Sequence, residues 1–201
     1  MQTSLPIERC KRSQALRACR WLAVLFLPTC FALSSLTAQP AAPTENDVKA
    51  ADLLNFGRFM RHSNAQPPRS SFDICILGRD PLGRAIDEIT ATETINSLPI
   101  HIRRLPDVTD AKACEIVFIP ADEGDRIRED LALLAGSDAL TVSDAADFLD
   151  RGGMIQFLLI ENHVRFSVNL TPVNRAHLVL SSELLRVASS VTGKPSSEGS
   201  P

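Results

Sequence analysis

Apolar positions along this chain change their period from one segment to the next. From Glu45 to about Met60 they recur at helical spacing, with Val48, Ala51, Leu54 and Phe56 on a broad stripe and Phe59 beside it. Arg61 to Ser71 is polar and contains Pro67-Pro68, which reads as a loop. The run FDICIL at 72–77 predicts a strand. Asp80 then precedes Pro81, the pairing of an N-cap with a first-turn proline, and a helix is expected to about Thr92. Leu98 to Leu105 predicts a second strand, with Pro99 at its start and Arg103-Arg104 near its end. Glu115 to Ile119 predicts a third, apolar enough for a parallel sheet covered on both faces. A helix is expected over Asp125 to Ala135, ended by Gly136, and a fourth strand over Ala139 to Val142. A short helix over Asp144 to Asp150 would stop at Gly152-Gly153.

The pattern then turns to alternation. Met154 to Ile160, a polar turn at Glu161-Asn162-His163, and Val164 to Leu170 read as a β-hairpin. Val164, Phe166 and Val168 face one side of it, and Arg165, Ser167 and Asn169 the other. Thr171-Pro172 opens a last helical region, in one or two pieces, to Val191. This order predicts an α/β domain over 45–191: a mainly parallel sheet flanked by helices, with a C-terminal β-hairpin added to the sheet. Residues 39–44 read as a flexible leader, and 192–201 as a disordered tail.

The N-terminus changes the compartment. Arg9, Lys11, Arg12, Arg17 and Arg20 stand against a single acid, Glu8, before an apolar run from Trp21 to Leu27. Pro28-Thr29 interrupts the run, Phe31 to Leu33 resumes it, and small residues close it at Ala38. This is the plan of a signal peptide over residues 1–38, and it is too short and interrupted for a span of about 20 apolar residues. Retention as an N-terminal anchor is the alternative; Pro28 and Thr29 fit a lipoprotein box ending at Cys30 badly. Removing 1–38 takes five of the 21 basic and one of the 24 acidic residues, leaving a net charge of −7. An acidic secreted domain is a poor partner for nucleic acid. Of the five cysteines, only Cys75 and Cys114 remain after residue 38.

Candidate chemistry is sparse. Gly78 and Gly83 have the glycine spacing of a phosphate loop, but Arg84-Ala85 stands where Lys and a magnesium-holding Ser or Thr are needed. Pro81 also removes an amide, and a secreted compartment offers little ATP. A strand-to-helix turn is the plainer reading, although a helix N-terminus there could take a small anion. Cys75 and Cys114 are either a disulfide or two buried thiols; an oxidising compartment favours the bridge. His62, His101, His163 and His177 show no metal-ligand spacing, and His163 falls in the expected hairpin turn. Asp122, Glu123, Asp125, Glu129 and Asp130 read as a solvated helix start. No cofactor, metal site or catalytic constellation is indicated, so enzyme catalysis is unsupported.

Several segments together resemble the YfiR family of periplasmic proteins. These are Val48 to Phe59, Ile74 to Gly83, Leu140 to Asp144 with Phe148 and Gly152 to Ile155, Arg165 to Asn169, and Ser182 to Ala188. The resemblance spans about Glu45 to Val191. It implies a non-enzymatic periplasmic signalling regulator that binds and represses an inner-membrane diguanylate cyclase or similar sensor, lowering cyclic di-GMP and biofilm formation. It also implies a homodimer, relief through an outer-membrane lipoprotein or redox stress, and a Cys75–Cys114 bridge matching the family's recurrent pair. Met60-Arg-His-Ser replaces the Trp-Pro that follows the first helix in many relatives, and a second cysteine pair is missing. The alternative function is a small-ligand-binding accessory of a sensor kinase or outer-membrane receptor.

Overall fold

Thr44 starts the first helix, α1 (Glu45–Phe59), through a reciprocal cap. Its hydroxyl accepts from Asp47 N at 3.2 Å, and Asp47 Oδ2 accepts from Thr44 N at 2.7 Å. Two otherwise orphaned amides are thereby satisfied. The computed structural model describes residues 42–194; the expected signal peptide, the start of the leader and the tail beyond 194 lie outside the described residues. The buried face of α1 is Ala50, Leu53, Leu54, Phe56 and Gly57. This face is rotated from the expected stripe, and Phe59 is 40% exposed.

The expected loop after α1 begins instead with a short strand, β1 (Met60–His62). The strand β2 (Phe72–Leu77) has the expected bounds. The helix after it, α2 (Arg84–Thr90), starts three residues later than the Asp80 cap implies. Two strands follow, β3 (Thr94–Ile95) and β4 (Leu98–Leu105), the first of which the pattern did not show. They are joined by Asn96-Ser97, both at positive φ, the geometry of a two-residue hairpin turn. Then come β5 (Ile116–Ile119), a 3-10 segment at Ala121–Arg126, α3 (Ile127–Leu134) and β6 (Leu140–Ser143). Residues 145–152 form turns rather than the expected helix, with Asp147 at φ 58° and Gly152 at φ 101°.

The hairpin is β7 (Ile155–Ile160) and β8 (His163–Asn169). Its turn is Glu161-Asn162, both at positive φ, so His163 opens the second strand instead of lying in the turn. The expected last helical region is divided into α4 (Leu170–Arg175), β9 (Leu178–Leu180), α5 (Ser182–Val187) and β10 (Ser190–Thr192). The strand β10 reaches one residue into the expected tail. The segment β9 pairs antiparallel with β1, which explains both short strands: each supplies the partner the other needs.

Among the described residues eight strands make the main sheet, in the order β10-β8-β7-β6-β5-β2-β4-β3. From β7 through β4 all pairings are parallel, while β8 joins β7 and β3 joins β4 antiparallel. The domain is therefore α/β, with a mostly parallel sheet, flanking helices and the hairpin at one end. Alternation sends Ile74, Ile76, Ile116, Phe118, Leu140, Val142, Ile155 and Phe157 into one core, packed with α1 residues. Cys75, Leu77, Val117 and Ile119 enter a second core with Ile127 and Leu134 of α3. Near the centre of the first, Phe56 lies 5.0 Å from Phe166 and 5.7 Å from Phe157 between ring centroids. At these separations aromatic edges and faces attract beyond simple burial.

Candidate functional site

Cys75 points from β2 into the second core, and Cys114 precedes β5 after a 3-10 turn at Ala111–Ala113. The two sulfurs are joined, with the Cα atoms 6.0 Å apart, within the usual range for a disulfide. Both residues are almost fully buried. The bond closes a separation of 39 residues, tying β2 to the connection that enters β5. Arg103 Nη1 is 3.8 Å from Cys114 Sγ, so one cation stands over an otherwise apolar bridge.

An ionic cluster adjoins the bridge at the start of β2 and β5. Glu115 is 3% exposed, and its Oε2 accepts from Asp73 N at 2.6 Å. Arg69 Nη1 lies 2.7 Å from Glu115 Oε1, an ion pair by distance although no N–H is aligned on that oxygen. The same Nη1 donates to Ala113 O at 2.9 Å. Burial pushes the Glu115 carboxyl above its ordinary range, against the opposing pull of the Asp73 amide and Arg69. These contacts hold Ala113 and Glu115 on either side of Cys114, so the cluster positions the bridge.

At the opposite, carboxyl ends of the strands the connections change direction. The chain leaves β2 toward β4 and returns to β5 on the other side, and crevices at such reversals commonly bind ligands. Here the chain fills its own crevice. Asp80 Oδ1 accepts from Leu82 N at 2.8 Å and from Gly83 N at 3.1 Å, while its Oδ2 accepts from Arg104 Nε at 2.8 Å. Arg84 pairs with Glu88, and Arg79 with Asp122. Gly78, at φ 60°, packs so closely on Glu123 that a Cβ would collide with its carboxylate. The amides that a phosphate would need are bonded to an aspartate, and Asp80 caps a turn rather than the helix.

Sequence patterning did not reveal Lys49, which is 7% exposed on α1. Its Nζ is 2.7 Å from both Glu45 and Asp144, and Asp144 Oδ1 also accepts from Ala121 N at 2.9 Å. Burial disfavours the ammonium, but the bonds to Asp144 and Glu45 outweigh it and raise its pKa. The pair pins α1 across the carboxyl ends of β5 and β6. Asp144 followed a strand and Lys49 interrupted an apolar stripe, which were the available signals.

The histidines stay apart. His62 Nε2 meets Asp138 O at 3.2 Å, His163 Nδ1 meets Glu161 O at 2.8 Å, and His101 Nδ1 lies 3.8 Å from Asp73. The carbonyl of His177 accepts from Ser63 N at 2.8 Å. Among the described residues no group of three or more His, Cys, Asp or Glu side chains is placed to hold a metal. In the acidic cluster Glu123 pairs with Arg126, while Asp130 is buried with Oδ2 unpartnered. Burial raises the Asp130 pKa, with neighbouring Glu123 and Glu129 adding and Arg126 opposing. No helix of the described residues is long and apolar enough to cross a membrane.

A family model described as YfiR/HmsC-like matches residues 46–189. No curated protein matches the chain. Among solved structures, a conserved domain protein from Vibrio cholerae O1 biovar El Tor is similar with a TM-score of 0.53 at 9% identity. The match covers 74% of this chain and 60% of that one, so this chain spans less than two thirds of its length, and the likeness shows the fold alone. A weaker likeness, TM-score 0.42 at 11% identity, is to an ABC domain in complex with L-Trp from Streptococcus pneumonia, covering 60% and 55% of the two chains.

Proposed function

Because this chain belongs to the YfiR/HmsC-like family, we propose that it is a non-catalytic periplasmic regulator that represses an inner-membrane diguanylate cyclase or a similar sensor. The family match over 46–189 carries the reading. In this reading the signal peptide delivers the chain to the periplasm, where the Cys75–Cys114 bridge is stable. A homodimer binds the periplasmic part of the membrane protein and holds cyclic di-GMP low. An outer-membrane lipoprotein or a redox change relieves the repression.

The surface also supports a docking role. Leu159 and Ile160, beside the hairpin turn, are 57% and 45% exposed, and Val187 at the end of α5 is 66% exposed. Ser189 N donates to Phe166 O, so the segment after α5 joins the same strand pair. Leu159 and Ile160 project from opposite faces of the hairpin tip, and large apolar side chains left in water there are suited to cover by another protein.

Deleting the gene and measuring cyclic di-GMP tests the proposal. A rise, reversed by the wild-type gene and not by a copy carrying Leu159→Asp and Ile160→Asp, is the expected result. An unchanged level on deletion would sink the cyclase reading. Rescue by a folded double variant would move the contact off the hairpin.

A further inference from the structure

On the second face of the sheet a cleft of about 320 Å³ opens beside α3, the turns that lead into β7, and α4. That is the small end of the usual range for ligand sites. Leu131, Leu134 and Met154 contribute apolar lining, and Arg128, Arg151 and Arg175 come to it from three separate segments. Seven other arginines among the described residues, namely Arg58, Arg69, Arg79, Arg84, Arg103, Arg104 and Arg126, have a carboxylate within 4.0 Å. None of the three in the cleft does, nor do the exposed Arg61, Arg165 and Arg186, but only in the cleft do three such groups converge. Arg128 and Arg175 are exposed and Arg151 is half-buried, so three guanidinium groups without an ion-pair partner border one partly apolar hollow and favour the entry of an anion.

The surroundings limit how much negative charge the anion can carry. Asp125, Glu129, Asp147 and Asp150 line an adjoining depression together with Arg128 and Arg151. They lie beyond ion-pair distance and are exposed, yet within about a Debye length they still lower the positive potential at that end. Arg175 is not part of that acidic depression. Arg151 is half-buried and its Nη1 donates to Gly124 O at 2.9 Å, which fixes the group and leaves its other donors free. A dianion would meet the flanking carboxylates, whereas a monoanion matches the positive charge that Arg175 adds on the side away from them. The apolar lining then requires a ligand with a compact hydrocarbon body.

We propose that this cleft binds a small amphipathic monoanion, a carboxylate whose polar end meets Arg151 and Arg175 and whose apolar body covers Leu131, Leu134 and Met154. The site is independent of the repressor reading, since its binding can be measured on the purified chain without any partner.

Isothermal titration of the full chain with octanoate, 1-octanol and octyl phosphate tests it. Octanoate should bind saturably and about tenfold or more tighter than 1-octanol, because a charge-assisted bond to arginine is lost with the alcohol. Octyl phosphate should bind no tighter than octanoate. Arg175→Gln should weaken octanoate about tenfold with an unchanged melting temperature, since Arg175 is exposed and unpaired. Arg165→Gln, on the hairpin, should leave octanoate binding unchanged. Equal binding of octanoate and 1-octanol, no saturable octanoate binding, tighter octyl phosphate binding, or an Arg175→Gln protein that binds like wild type would each overturn the proposal.

Discussion

Reduction of Cys75–Cys114 should destabilise the domain by an amount that its loop length sets. The bond closes a separation of 39 residues. In the chain-entropy treatment a loop of that size restricts the unfolded ensemble by about 4 kcal/mol at 25 °C. For a domain of this size each kcal/mol moves the melting temperature by about 2–4 °C, so reduction should lower it by roughly 8–16 °C. The measurement is a calorimetric melt with and without excess phosphine, on wild type and on a Cys75→Ala/Cys114→Ala variant. Only wild type should respond to the reductant, and the variant should melt near reduced wild type. Both sulfurs are buried, so thiol release under native conditions should be slow and should accelerate in mild denaturant. An equal response of both proteins, or none in wild type, would refute a stabilising bridge.

Other perturbations test the packing and the charges. Phe56→Ala, at a fully buried site between two phenylalanines, should cost about 3–5 kcal/mol in a denaturant titration. Gly57→Ala should destabilise despite alanine's higher helix propensity, because a Cβ there would meet Ile95 Cδ1 at 2.7 Å and Phe72 Cζ at 2.9 Å. A stabilised Gly57→Ala protein would mean that β3 and β2 can move away from α1. Burial raises Asp52 to about 6, against a weaker bond from Asn55. The folded state therefore holds that proton more tightly than the unfolded chain, and stability falls as pH rises from about 4 to about 6, by up to about 3 kcal/mol. Asp52→Asn should remove that slope and raise the melting temperature at pH 7; an unchanged pH profile would place Asp52 in water. Asp80→Ala should cost about 1–3 kcal/mol by freeing the Leu82 and Gly83 amides and removing one partner of Arg104.

The parallel core strands and the hairpin were legible because each is a local signal. Apolar runs at 72–77 and 116–119 and alternation on either side of Glu161-Asn162 need no distant partner to be recognised. The strands β1, β3, β9 and β10 have three residues or fewer and exist through pairing, so nothing local announces them. The rotated face of α1 has a similar origin. Gly57 and Lys49 are buried there, one because β2 and β3 approach its bare backbone and the other because Asp144 receives its charge. Neither residue type scores as apolar. The arginine cleft was beyond reach for the same reason: Arg128, Arg151 and Arg175 are scattered in sequence, and only the placement of α3 and α4 relative to β7 assembles them.

The loop from Gly78 to Gly83 shows how a binding outline can arise without a ligand. A strand that ends in a buried sheet leaves the amides of the following turn short of partners. A phosphate is one way to satisfy them, and an aspartate within the turn is another. Asp80 takes the second course, accepting from two amides with one oxygen and from Arg104 with the other. Glycine at 78 follows from its positive φ and the approach of Glu123, not from an approaching phosphate. The same spacing thus serves two ends, and the residue between the glycines decides which. Asp80 places a carboxylate, already paired with Arg104, where a phosphate would bring its own charge, so the amides of the turn are occupied from within the chain. What the loop contributes instead is rigidity at the point where β2, the disulfide strand, meets α2.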